Sequence, residues 1–244
     1  MVSPSPIAKV LVEMEGIVAP LPRSDGVACF TRLYLAVTRG VDQRLAGVTF
    51  ADPAFLARLD VVFADLFLAA LRTFSGDPAR VPHAWTPLLE ARARRGIAPL
   101  QFAFAGMNAH INRDLPVALV STCRERGITL EESSPQHADF LRVNDLLATV
   151  EGEVKSQYLT GWLRTLDRLV HRVDRLDDVV AMWNVRRARD AAWANAQALW
   201  ALGDDEALAA EYLTTLDRMV GLAGRGLLVP ADTWLLRLGR RLGL

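Results

Sequence analysis

Lysine is nearly missing from this sequence. Lys9 and Lys155 are its lysines, and the rest of its positive charge is arginine. No surplus of either sign remains, because Lys and Arg total 28 and Asp and Glu total 28. General binders of nucleic acid or of anionic membrane surfaces normally carry a basic excess, so neither partner is expected. Cysteine is equally scarce. Cys29 and Cys123 have no metal-ligand spacing, and two free thiols in a reducing cytosol fit better than a disulfide frame. The most apolar stretch, Val61 to Leu71, is broken by Asp65 and is too short to span a bilayer. Met1 to Pro6 lacks the charged and apolar regions of a secretory signal. These absences point to a cytoplasmic protein.

What is present is apolar residue, at 51% of 244 residues. That is enough to bury a large core without cross-links. Strand alternation and internal repeats are both missing. Pro4, Pro6, Pro20 and Pro22 make residues 1–24 read as an irregular arm. Residues 25–244 then read as one domain. Phe30, Leu33, Tyr34, Val37 and Val41 recur at helical spacing, with Ser24 and Asp25 as candidate caps. Asp52-Pro53 is a clean helix start, and that helix should end near Ser75-Gly76. Further helices are expected at 84–95, from Pro99 to about Gly127 with a break at Pro116, and from Pro135 to at least Val154. Others are expected at 157–173, 176–202, 205–223 and 232–242. The fold is thus expected to be all-α, a single bundle of about eight helices.

The informative residues are polar ones set in apolar helix faces. Between Phe102 and Ile111 the chain is apolar nearly all round, so this helix should be central. It carries Asn108, His110, Asn112 and Asp114. His110 and Asp114 are four apart and project from one face. They could pair with each other, or share a metal. Asp60 lies among Phe63, Ala64, Phe67 and Leu71, where a carboxylate needs a cation or a metal. His137 shares a face with Phe140, Leu141 and Asn144 and should point inward, while Asp139 faces elsewhere. Asp190 should pair with Arg186 or Arg187, and His83 and His171 should be solvated. Asp60, His110, Asp114 and His137 come from three helices and converge on apolar surroundings, which is what a metal site in a bundle core requires. Mixed imidazole and carboxylate ligands suit iron, manganese or zinc. No Glu-x-x-His pair occurs, so the ferritin-like ligand set is missing. No zincin, nucleophile-elbow, P-loop or dinucleotide motif occurs either.

The segment from Gly96 to Pro116, with Asn108-Ala109-His110-Ile111-Asn112-Arg113-Asp114-Leu115-Pro116 at its heart, resembles a bacterial family known as a domain of unknown function. Asp25 to Phe30, Gln136 to Asp139 and Ala191 to Ala196 fit the same family, and the resemblance runs from about Asp25 to Pro230. One relative in it is similar to this chain and is a nonheme diiron monooxygenase. It hydroxylates a diterpenoid coenzyme A thioester in platensimycin and platencin biosynthesis. The resemblance implies two irons per chain, with O2 as co-substrate and an electron donor or reductase as partner. His110 and Asp114 would then share a metal, joined by His137, Asp60, Asp139 and Asp190. Asn108, Asn112 and Asn144 would support those ligands from behind. Phe63, Phe67, Phe102, Phe104 and Met107 would line an apolar substrate cavity, and Arg92 and Arg95 would meet coenzyme A phosphates. Two other functions stay open: a metal-dependent hydrolase using the same residues, and a non-enzymatic helical binding protein in which the buried His and Asp are structural pairs.

Overall fold

The computed structural model describes residues 6–45, 48–147, 184–203 and 205–230. Every helix and turn among them is built without a β-strand, as the all-α reading requires. The helices are α1 (Pro6–Val18), α2 (Gly26–Leu45), α3 (Pro53–Gly76), α4 (Thr86–Ala91), α5 (Pro99–Ala109), α6 (Leu115–Arg126), α7 (135–147), α8 (Val185–Ala201) and α9 (Glu206–Leu227). A short 3-10 turn, Pro78–Arg80, follows α3. No helix among the described residues is long and apolar enough to cross a membrane.

Local chemistry sets most of these boundaries. Asp25 caps α2, its Oδ1 accepting from the N–H groups of Val27 and Ala28 at 2.9 and 3.2 Å. Asp52 caps α3 by accepting from Phe55 N–H at 2.9 Å, with Pro53 at the first helical position. Asn184 caps α8 and Asp205 caps α9 in the same way. Gln101 Oε1 reaches back to the Ala98 N–H at 2.9 Å at the start of α5. Gly127, at φ 65°, closes α6 in the left-handed conformation that an L side chain would resist.

Three expectations need correction, one of them the helix expected over 176–202, which starts at Val185 behind the extended Asn184 cap. Residues 6–18 are a helix, not an irregular arm. The prolines bracket it: Pro6 stands at its first position and Pro20 and Pro22 lie beyond its end, so no proline interrupts it. Met14 on α1 is fully buried, which ties the helix to α2 and α3. The helix expected over 84–95 spans only Thr86–Ala91, because the chain turns before Gly96, at φ 83°. The expected helices at 157–173 and 232–242, the end of α7 past 147 and residues 176–183 lie outside the described residues.

The architectural centre is the rod from Pro99 to Arg126. It runs as α5, a widened π turn at His110–Asp114, and α6. The Leu115 N–H bonds back to the His110 carbonyl, one residue further than in an α-helix. The extra residue falls directly before Pro116, which has no N–H and whose ring would press on the Asn112 carbonyl in a regular helix. The expected break at Pro116 is thus taken up by one wide turn. Helices α2, α3, α8 and α9 all pack on this rod. Residues Phe102 to Ile111 are buried without exception. Two glycines allow close approach. A Cβ on Gly106 would sit 2.3 Å from the Phe30 Cγ of α2, and one on Gly221 would sit 2.4 Å from the His83 carbonyl oxygen.

Asp52 ties α3 to its surroundings. Burial opposes its charge, but hydrogen bonds from Gln136 and from the Phe55 N–H, with Arg126 close by, outweigh that and hold the carboxyl below its usual range. A carboxyl with a lowered folded-state value stabilises fully above its unfolded value of about 4 and loses that contribution as pH falls further. Asp52→Ala should therefore destabilise by about 1 kcal/mol at neutral pH. The gap between variant and wild type, read from urea midpoints, should shrink below about pH 4. A gap that stays constant down to acid pH would refute the charge-based part of this cap.

Candidate functional site

His110 and Asp114 meet at the middle of the rod. His110 Nδ1 lies 3.3 Å from Asp114 Oδ2, and both side chains are out of contact with solvent. The same Oδ2 accepts from the Trp85 indole N–H at 2.8 Å, and Oδ1 accepts from Arg113 at 2.8 Å. Asp114 thus takes N–H donors from Trp85 and Arg113 and meets the His110 ring as well, so both of its oxygens are engaged. Arg113 Nε lies 3.6 Å from Asp217 Oδ1 on α9, an ion-pair distance rather than a hydrogen bond. Asp217 in turn accepts from the N–H groups of His83 and Ala84 at 2.7 and 3.0 Å, just ahead of Trp85.

The His110 ring stands in an aromatic box. Phe63 of α3 stacks on it face to face, with centroids 3.5 Å apart and planes 6° from parallel. Tyr34 meets it edge-on at 4.7 Å, and Phe30, Trp85 and Phe67 lie at 5.8, 6.0 and 6.2 Å. Burial holds the imidazole below its usual protonation range, and the Asp114 hydrogen bond and charge only partly oppose it. Its Nε2 is buried with no hydrogen-bond partner. Phe30, Phe67 and Trp85 are fully buried, whereas Tyr34 is only half-buried and so forms the outward wall of the box. Burial, then the Asp60 and Asp114 charges, push the Tyr34 phenol far above its usual range, so it stays an O–H donor.

The other expected ligands do not gather here. Asp60 is exposed, not inward-facing, although its charge reaches Tyr34 and Arg189. The buried stripe of α3 runs through Phe55, Leu59, Phe63 and Phe67, and Asp60 lies on its flank. His137 is half-buried at the start of α7; its Nδ1 lies 2.8 Å from the Glu132 carbonyl and its ring packs on Trp193 at 4.4 Å. Asp139 is completely buried, contrary to expectation, because it accepts the N–H groups of Ala51 and Asp52 at 3.0 and 2.7 Å ahead of α3. Asp190 is exposed and accepts from Asn144 Nδ2 at 3.2 Å, while Arg186 pairs with Asp145 instead. Asn144 Oδ1 also accepts from Arg189 Nε, and the buried Arg189 guanidinium lies 4.2 Å above the Phe140 ring. Burial brings Arg189 down to about 10.

The supporting carboxamides serve the backbone and each other. Asn108 Nδ2 donates to the Val220 carbonyl at 2.9 Å, and Asn112 Nδ2 donates to Asn108 Oδ1 at 3.0 Å. Among the expected substrate residues, Phe63, Phe67, Phe102, Phe104 and Met107 are packed core. Phe102 presses on Gly26. Arg92 is engaged by Asp25 at 2.8 Å, and Arg95 is exposed. A cavity of about 250 Å³ lies elsewhere, lined by Pro87, Glu90, Ala91, Arg94, Arg225 and Leu228. His83 is exposed as expected, and His171 lies outside the described residues. Cys29 and Cys123 are free, buried thiols, each pushed up to about 11 by burial.

Trp85, Tyr34, Arg113 and Asp217 escaped the sequence reading. Asp217 carried the signal that drew attention to Asp60, since Leu213, Leu216 and Val220 surround it. Trp85 had no helical pattern to mark it.

An all-α bundle whose buried centre is a histidine–carboxylate pair on a π turn is the class this arrangement defines. The chain belongs to DUF5995, a family of unknown function whose model matches residues 7–230. No curated protein and no solved structure matches it.

The box depends on α2 lying close against α5 at Gly106. Gly106→Ala should force the Phe30 ring off its position and destabilise by about 1–3 kcal/mol. The denaturation midpoint should fall with an unchanged urea slope. A midpoint equal to wild type would show that Phe30 can yield without loss.

Proposed function

We propose that this chain is a nonheme iron, O2-dependent hydroxylase of a hydrophobic substrate, of the diterpenoid coenzyme A thioester kind, with His110 at its reaction centre. One observation carries the reading. His110 Nε2 is buried and has no partner, while the other ring nitrogen is held by a carboxylate. Metal-binding histidines commonly rest their second nitrogen on a carboxylate in this way. A purely structural pair would be expected to satisfy both nitrogens, since buried polar atoms rarely go without a partner. The resemblance over Gly96 to Pro116 supplies the reaction type and the electron-donor partner.

The two-iron form asks for more than the described residues bring together. No group of three or more His, Cys, Asp and Glu among them is placed to hold one ion. Among the described residues the fit is to a single imidazole ligand, which by itself completes neither a mononuclear nor a dinuclear iron site. Iron, when bound, would supply the place where O2 is reduced, with the electrons coming from the donor partner. The chain's own residues have simpler tasks. Asp114 fixes the His110 ring, Phe63 clamps its face, and the aromatic box keeps water away from the reacting group.

A second reading has its own support in the dyad. A carboxylate-oriented imidazole with a free Nε2 lone pair is also the arrangement of a general base, and would serve a hydrolase.

Metal content and atmosphere separate the two. Purified wild type should carry iron, and His110→Ala should lose it while keeping its helical circular dichroism. Asp114→Asn should weaken metal binding by about 10–100-fold. With ferrous iron, a reductant and a hydrophobic acyl-coenzyme A, product should gain one oxygen atom in air and none under argon. Full iron occupancy in His110→Ala would sink the assignment. Release of free coenzyme A at equal rates in both atmospheres would establish the hydrolase instead.

A further inference from the structure

We propose that Asp114 and Trp85 are positioning residues, which together hold His110 as the Nδ1–H tautomer and present Nε2 as its one working atom. The proposal rests on His110 being the reacting residue. It departs from the expectation that Asp114 would bind a metal beside it.

The geometry of Asp114 supports this. A carboxylate that coordinates a metal must offer it an oxygen. Oδ1 of Asp114 is engaged by Arg113 at 2.8 Å, and Oδ2 by Trp85 at 2.8 Å as well as by His110 at 3.3 Å. Since Trp85 Nε1 can only donate, the oxygen it meets must be an acceptor. The same oxygen then presents an acceptor to His110 Nδ1, and the proton of a neutral ring belongs on that nitrogen. Nε2 is left with its lone pair, in agreement with its lack of a partner.

Trp85 acts through Asp114 and does so from a fixed place. Its side chain is fully buried, and Asp217 pins the backbone just ahead of it through the His83 and Ala84 N–H groups. Removing the indole N–H frees the carboxylate to rotate about its own bond. Phe67 provides the control, because its ring centroid lies 5.0 Å from that of Trp85 in the same box but it has no polar atom to offer Asp114.

The test is the nitrogen NMR signature of His110 in protein labelled at histidine, at neutral pH and without added metal. Wild type should show Nδ1 protonated and Nε2 bare. Asp114→Ala should shift the tautomer ratio toward Nε2–H by roughly tenfold or more, the size of one hydrogen bond to a charged group. Trp85→Phe should move it the same way by less, and Phe67→Leu should leave it unchanged. Should Asp114→Ala not fold, the wild-type signal and Trp85→Phe still decide. A wild-type ring protonated at Nε2 would overturn the proposal. So would a Trp85→Phe signal equal to wild type, or an equal shift in Phe67→Leu. No metal and no turnover enter these spectra, so failure of the hydroxylase reading would appear separately, as absent iron or O2-independent turnover with the tautomer result intact.

Discussion

A carboxylate with no exposed surface holds the middle of this protein. Asp114 takes donors from three places: the residue before it, the ring one turn back, and an indole from the segment ahead of α4. A buried, unpaired carboxylate would cost several kcal/mol, so these donors are what allow it to sit there at all. The surrounding packing follows from them. Trp85 must be held at the rod, which Asp217 achieves from α9 by gripping the backbone at His83 and Ala84. Gly221 lets α9 come close enough to do so.

Polar clusters interrupt the apolar interior of the described residues, and the charges of two of them act on Tyr34. The first is His110, Asp114, Arg113 and Asp217. The second is Asn144, Arg189 and Asp190, with Arg189 resting on Phe140. Tyr34 feels both, since the charges of Asp114, Asp60 and Arg189 all act on its phenol.

Helix starts were legible in the sequence at Asp25, Asp52 and Asp205, where one residue makes the cap, but not at Asn184, through which a helix was expected to run. Asp52-Pro53 and Gly127 behave as their local chemistry dictates, and the centrality of the Phe102–Ile111 segment follows from its unbroken burial. The His110–Asp114 pairing was legible for the same reason, being one turn of one helix. Side chains that act across the chain were not. Asp139 and Asp217 each accept two backbone N–H groups from segments far away in sequence, and periodicity carries no record of such partners. Asp60 failed in the opposite sense, because one step of azimuth separates the middle of a buried stripe from its exposed flank. The widened turn before Pro116 also had no signature beyond the proline itself.

The grip of Asp217 on His83 spans 134 residues, and this fixes an order of events during synthesis. At about 5–20 residues per second, roughly 7–27 s pass between the appearance of the two partners. The rod, with its histidine and carboxylate, is made early in that interval, while the backbone that carries Trp85 waits for its anchor until the end of it. The surroundings of the His110–Asp114 pair therefore gain their anchor late in the synthesis of the chain.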